Sequence, residues 1–258
     1  MECLHMSGAG NDFMVIDARG QNYDFSQLAK TLCAKTGADG FMAVDTSDKA
    51  DFKLHFYNSD GSRGEMCGNG SRCVSRFAYD HGIAGAEMTI ETDAGILSSR
   101  RLDEGRYRVR LNNPGIIDLN RSGDMAYVEL GSPGVPHGVF HYPGLRWDMR
   151  DSLRERMRQE RSAPYFPKGA NVNYYDWIDR TRIRILTFER GVEDFTLACG
   201  TGSGSVAAVL WTKGQLPEGT LAVENPGGTL EFEILGTHGT IETIYMSGPA
   251  QVVGTYCI

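Results

Sequence analysis

The feature that most narrows the folds open to this 258-residue chain is an internal repeat. Met-Cys-Gly-Asn-Gly-Ser around Cys67 is matched, 132 positions later, by Ala-Cys-Gly-Thr-Gly-Ser around Cys199. The same offset pairs Phe56 with Phe188, Gly70 with Gly202, Ser71 with Ser203 and Gly82 with Gly214, and it extends upstream, where Gly37-Ala38-Asp39 faces Gly169-Ala170-Asn171 without a gap. With one residue inserted, Ile90-Glu91-Thr92-Asp93-Ala94-Gly95 then faces Val223-Glu224-Asn225-Pro226-Gly227-Gly228. A register held this long predicts duplication, with two similar domains related by a pseudo-two-fold axis.

Local patterning assigns both halves the same order of elements. Asp51-Phe52-Lys53-Leu54-His55-Phe56 and Arg182-Ile183-Arg184-Ile185 alternate apolar and polar residues, as half-buried strands do. A helix is predicted after each Cys-Gly-x-Gly. Val74, Phe77, Ala78 and His81 share one face of the first, which Gly82 ends; Val206, Val209, Leu210 and Lys213 share one face of the second, which Gly214 ends. Each cysteine therefore stands at the mouth of a helix. Further strands follow at Arg106–Leu111 and Leu230–Ile234. The expected fold class is α+β: two pseudo-symmetric domains, each a curved antiparallel sheet or barrel around a central helix. Turn residues at Asn112-Asn113-Pro114-Gly115 place the join, so the domains are expected over 1–114 and 115–247. Segment 248–258 is expected to return to the first domain and cover a sheet edge with the strand Gln251–Tyr256. The arginine-rich stretch Arg146–Arg161, with acids interspersed, reads as a solvated helix face.

Composition excludes several classes of function. With 26 Lys and Arg against 33 Asp and Glu, the net charge of −7 argues against a nucleic-acid partner. No apolar run reaches the ~20 residues of a membrane span, and the first residues lack the basic and apolar segments of a secretory signal, so a cytoplasmic location is expected. The six cysteines form no Cys-x-x-Cys pair and have no histidine at finger spacing, which argues against a structural zinc site. Cys3, Cys33, Cys73 and Cys257 read as small core residues.

Cys67 and Cys199 differ because the repeat places both at helix starts. A helix N-terminus carries unsatisfied N–H groups and about half a positive charge, so it attracts anions and lowers the pKa of a thiol. Two such domains facing each other across a cleft would bring the thiols to opposite sides of one bound molecule. The chemistry available to that pair is inversion at carbon: one thiolate removes a proton and the other thiol delivers one from the far side, with no cofactor or metal. Backbone donors at Gly68, Asn69, Gly200 and Thr201 would stabilise the charge that builds up on an adjacent carboxylate. The glycine-rich Cys199 segment lacks both the Gly-Lys-Ser/Thr ending of a P-loop and the spacing of a dinucleotide fingerprint.

Gly8-Ala9-Gly10-Asn11-Asp12-Phe13, Asn58-Ser59-Asp60-Gly61-Ser62 leading to Met66-Cys67-Gly68-Asn69-Gly70, and Glu189-Arg190-Gly191 leading to Ala198-Cys199-Gly200-Thr201-Gly202 closely resemble the diaminopimelate epimerase family. The resemblance runs through nearly the whole chain. It implies a cofactor-independent, two-base interconversion of LL- and meso-diaminopimelate on the route to lysine, by a homodimer acting on a small amino-acid substrate. It also implies that Asn11, Asn58, Asn171, Glu189 and Arg190 bind substrate, with Arg190 suited to a distal carboxylate and Glu189 to a distal ammonium. Neighbouring strand residues point to opposite faces, so Glu189 and Arg190 can serve one ligand only where the strand ends or one of them uses its backbone. Val135 and Gly40 depart from the family pattern, standing where many or some members carry asparagine and glutamine, and they leave open a racemase of another amino acid such as histidine. His137 reads as a structural turn residue.

Overall fold

The computed structural model describes residues 2–64, 67–131, 134–237 and 239–257; Met66, in the motif before Cys67, lies outside them. The chain divides into two compact units, 1–110 with 247–258, and 111–246. The change of unit comes before the Asn112–Gly115 turn because Pro114 already opens a strand that pairs within the second unit.

The first unit runs β1 (Glu2–Ser7), β2 (Asp12–Asp17), α1 (Phe25–Thr36), β3 (Gly40–Asp45), β4 (Phe52–Asn58), β5 (Arg63–Gly64), α2 (Gly68–Asp80), β6 (Glu87–Thr92), β7 (Gly95–Arg101) and β8 (Arg106–Leu111). The second runs β9 (Pro114–Ser122), β10 (Met125–Gly131), β11 (Gly134–His141), α3 (Arg150–Arg161), β12 (Asn171–Trp177), β13 (Arg182–Glu189), β14 (Asp194–Phe195), α4 (Gly200–Thr212), β15 (Thr220–Asn225), β16 (Gly228–Leu235) and β17 (Thr243–Pro249), before β18 (Gln251–Cys257). β18 lies antiparallel on β1, with Cys3 opposite Tyr256.

Both sheets are threaded alike. In the first unit β1·β2, β3·β4 and β6·β7 are antiparallel, while β2·β3 and β4·β6 are parallel. In the second, β10·β11, β12·β13 and β15·β16 are antiparallel, while β11·β12 and β13·β15 are parallel. The parallel pairs arise where a helix carries the chain from one strand to the next, since parallel neighbours need a crossover connection.

α2 and α4 are the central helices, each packed against its own sheet: α2 on β1, β2, β3 and β7, α4 on β9 to β12 and β16. Their sequences suit enclosure. Gly202, Ser203, Gly204, Ser205, Ala207 and Ala208 keep α4 narrow, and all are buried. On α2 the buried Ser75 hydroxyl donates to the Ser71 carbonyl at 2.7 Å, so its polar atom is satisfied inside the helix. Both helices stop in the same way, with Ile83 N bonded to Ala78 O and Gln215 N to Leu210 O around the left-handed Gly82 and Gly214.

α1 and α3 cover the outer faces. α1 buries Ala29, Leu32 and Cys33, and its ends are closed by the Asp24 side chain on Gln27 N and by Gly37. α3 buries only Leu153 and Met157, and its arginines lie against acids such as Glu155 and Glu160 on a solvated face. Among the described residues no helix is long and apolar enough to cross a membrane.

Two side chains depart from the sequence reading. Cys257 is exposed, because β18 is an edge strand that presents its last residues to solvent. His137 lies within β11 rather than in a turn and is wholly buried. Its Nδ1 faces the Asn173 amide nitrogen at 3.2 Å, which makes that ring nitrogen an acceptor. Burial first, and then the positive charge of Arg190, push its pKa down to about 3, so the folded imidazole is neutral.

Two predictions follow from this packing. A Cβ on Gly8 would lie 2.7 Å from the Asn69 carbonyl oxygen in the first turn of α2, so Gly8→Ala should cost ~1–3 kcal/mol. In a urea titration Gly85→Ala, which meets no close neighbour, should stay within about 0.5 kcal/mol of the parent. For His137, the unfolded chain binds a proton that the folded chain refuses between about pH 6.5 and its depressed value. Stability should therefore fall on acidification through that window by roughly 1.4 kcal/mol per pH unit from this group, and His137→Gln should flatten the slope.

Candidate active site

Cys67 and Cys199 are the N-cap residues of α2 and α4. Both are extended, at φ −134°, ψ 118° and φ −108°, ψ 107°, and their carbonyls accept from Ser71 N and Ser203 N at 2.8 and 2.9 Å. Gly68 and Asn69, and Gly200 and Thr201, open the first turns, where helix geometry leaves amide groups without an i−4 acceptor. Gly202 allows α4 to settle on β12: a Cβ there would lie 2.3 Å from Asn173 Oδ1.

The two sulfurs have different neighbours. Cys199 is buried, accepts from Gly202 N at 3.3 Å and lies 3.5 Å from Thr201 Oγ1. Glu189 lies against this thiol, with its Oε1 accepting from Thr196 Oγ1 at 2.7 Å. Burial and the Glu189 carboxylate push the Cys199 thiol well above its usual range, and the bonds from Thr201 and Gly202 N offset this only in part. The lowering expected from the helix start is therefore overridden at Cys199 by desolvation. Cys67 is only partly buried and donates to Asn11 Oδ1 at 3.6 Å. Near it is Arg72, a fully buried guanidinium pushed down to about 10 by desolvation, an effect that its interactions with Cys73 and Cys67 offset in part.

In the first unit Asn11 reaches Cys67, which Gly68 and Asn69 follow, and Asp39 ties Asn11 to the segment that begins at Asn58. Asn11 Nδ2 donates to Asp39 Oδ2 at 2.6 Å, and Ser59 N, beside Asn58, donates to Asp39 O at 3.1 Å. Asn58 ends β4 opposite Gly40 and bonds Ser62 through Nδ2. Gly40 has no room for a side chain, since a Cβ would meet Phe56 at 2.8 Å and Tyr57 O at 2.9 Å.

In the second unit Asn171, Glu189, Arg190, Cys199, Gly200 and Thr201 gather around the end of β13. That strand stops at Glu189 and Gly191 turns at φ 92°, so Glu189 and Arg190 are not bound by strand alternation. Asn171 Oδ1 accepts from Arg190 N at 2.8 Å, and the Arg190 guanidinium holds Lys168 O at 3.0 Å. Val135, on β11 opposite Leu130, is exposed and brings no polar atom. A cavity of about 700 Å³ beside Trp177, Arg180 and Leu216 holds none of these residues.

Asp39, Arg72, Asn173 and Thr196 escaped the sequence reading as members of the site. For Asp39 a signal existed, because it occupies the repeat position of Asn171. Among the described residues no group of three or more His, Cys, Asp or Glu is placed to hold a metal ion.

Comparison with known proteins covers both units. The family model for diaminopimelate epimerase matches residues 3–116 and 132–253. The diaminopimelate epimerase of Chlorobaculum tepidum is 35% identical, over 96% of this chain and 97% of its own length. That of Archaeoglobus fulgidus is 34% identical, over 96% and 92%. Among solved structures, a phenazine biosynthesis protein of the PhzF family from Bacillus anthracis superposes with a TM-score of 0.75 at 17% identity, covering 99% of this chain and 98% of that one. A hydroxyproline epimerase from Agrobacterium vitis superposes with a TM-score of 0.69 at 16% identity, covering 100% and 90%. The structural likenesses show a shared fold, and the full-length sequence match shows that the chain belongs to the diaminopimelate epimerase family.

Proposed function

We propose that this protein interconverts LL- and meso-diaminopimelate in lysine biosynthesis, with Cys67 and Cys199 as its two proton-transfer groups. The observation that carries the reading is the duplicated setting of the thiols: each caps the central helix of a unit with the same strand threading. In each direction one thiolate takes the α-proton, and the electron pair left behind moves onto the adjacent carboxylate. The other thiol then gives its proton to the opposite face of the carbon and is left as the thiolate. The carboxylate carries its extra charge against the first-turn amides, where the helix dipole favours an anion.

The thiol environments support unequal resting states. Cys199, buried beside Glu189, rests as the protonated donor. Glu189, an acceptor only when ionised, is suited to a substrate ammonium. Arg190, its backbone held by Asn171 and one guanidinium nitrogen by Lys168, is suited to grip the distal carboxylate.

Incubation with LL-diaminopimelate in deuterium oxide should yield the meso form with deuterium at the inverted carbon. Cys67→Ser and Cys199→Ser should each lose ~10²–10⁴-fold in kcat, and retention of parental turnover by either would remove the two-thiol assignment. Arg190→Met should raise KM for diaminopimelate by roughly 10- to 100-fold through loss of a charge-assisted contact. If α-proton exchange is instead faster with histidine or another amino acid than with diaminopimelate, the substrate is not the one proposed.

A further inference from the structure

Asp39 lies between α1 and β3, and one of its carboxylate oxygens receives two donors, Asn11 Nδ2 at 2.6 Å and Asp12 N at 2.8 Å. Its own backbone is held on both sides, N to Asp12 O at 2.9 Å and O to Ser59 N at 3.1 Å, so the carboxylate has a defined place. The two ends of an asparagine amide are nearly alike in shape, and only their partners decide which way the group points. An ionised carboxylate accepts and never donates. The end of Asn11 that meets Asp39 must therefore be the nitrogen, which leaves the carbonyl oxygen toward Cys67 Sγ at 3.6 Å. A carbonyl oxygen favours the protonated thiol over the thiolate.

We propose that Asp39 is a positioning residue for the reaction: it fixes the Asn11 amide so that its carbonyl oxygen, and not its nitrogen, faces Cys67 and accepts from the thiol whenever that group carries the proton. The proposal rests on the reading of Cys67 as a proton-transfer group. The repeat adds an independent parallel. Asn171, at the position equivalent to Asp39, likewise turns a side-chain oxygen onto a backbone amide, that of Arg190. The same slot in each unit thus supplies an acceptor that holds a residue of the site.

The charged and titratable groups around Cys67 act in both directions. On α2 these are Arg72, which favours the thiolate, and Cys73, which opposes it; Arg76 of α2 and Asp12 of β2, 3.3 Å from His5 of β1, act on Cys73. Asp39 contributes through Asn11 rather than by its charge alone, and this distinction is measurable. Asp39→Asn offers Asn11 a donor as well as an acceptor, so the amide can turn its nitrogen toward the sulfur and favour the thiolate.

The test is the pH dependence of iodoacetamide alkylation, read on the Cys67 peptide by mass spectrometry without substrate. Asp39→Asn should lower the midpoint by ~0.5–1 pH unit. In an Asn11→Ala background the same change should move it by less than about 0.2 unit, since the pathway through the amide is gone. An unchanged or higher midpoint in Asp39→Asn, or an equal shift in both backgrounds, overturns the proposal. In the unmutated protein, one of the two Asn11 side-chain amide protons should resonate downfield and lose that displacement in Asp39→Ala; two protons at free-amide positions overturn the proposal as well. The alkylation profile involves no turnover, so failure here stays separate from failure of the epimerisation assay.

Discussion

The structure depends on enclosing a helix within a sheet that its own unit supplies. A helix in that position has little surface left for solvent, so α2 and α4 bury most of their length and must be narrow. On α4 small residues meet that requirement; on α2 the hydroxyls of Ser71 and Ser75 find acceptors inside the helix, on Cys67 O and Ser71 O, while Ser203 of α4 reaches Asn225. Enclosure also determines where chemistry can occur. The flanks of the helix are committed to packing, and its N-terminal mouth is left to combine positive potential with amides that have no i−4 acceptor in the helix. Both cysteines occupy that mouth.

Duplication supplies two equivalent backbones but not two equivalent thiols. Cys67 and Cys199 share cap geometry, yet Cys67 has a buried arginine nearby and Cys199 a carboxylate. The substitutions responsible lie on the repeat register: Arg72 corresponds to Gly204, and Glu189 to Tyr57. A reaction that passes a proton from one sulfur to carbon and from carbon to the other sulfur needs one donor and one acceptor at any moment. Divergence at these two positions is a direct way to make the pair unequal while the helices stay superimposable in sequence.

Much of this was legible in the chain. The repeat implied two units of one design, the apolar periodicity located both central helices to their terminating glycines, and the Cys-Gly-x-Gly pattern placed both thiols at helix starts. Other elements were not legible. α1 and α3 occupy the same place in the threading, each carrying the chain between two parallel strands, but Phe25–Thr36 and Arg150–Arg161 fall outside the common register and differ in composition. Periodicity distinguished only the arginine-rich one. The parallel pairs were likewise invisible, because a strand's alternation records which face is buried and not the direction of its neighbour.

The sequence by itself determined the duplication, the helix starts and the identity of the groups placed there, because these follow from local spacing and residue type. Only the tertiary structure decided what each sulfur meets. Desolvation and hydrogen bonding depend on residues distant along the chain, and no local pattern carries them. Glu189 reaches Cys199 from the end of another strand, and Asp39 reaches Asn11 across a strand connection. The helix start alone would lower a thiol's pKa; folding buried Cys199 beside a carboxylate, and at that depth the cost of removing charge from water is the larger effect.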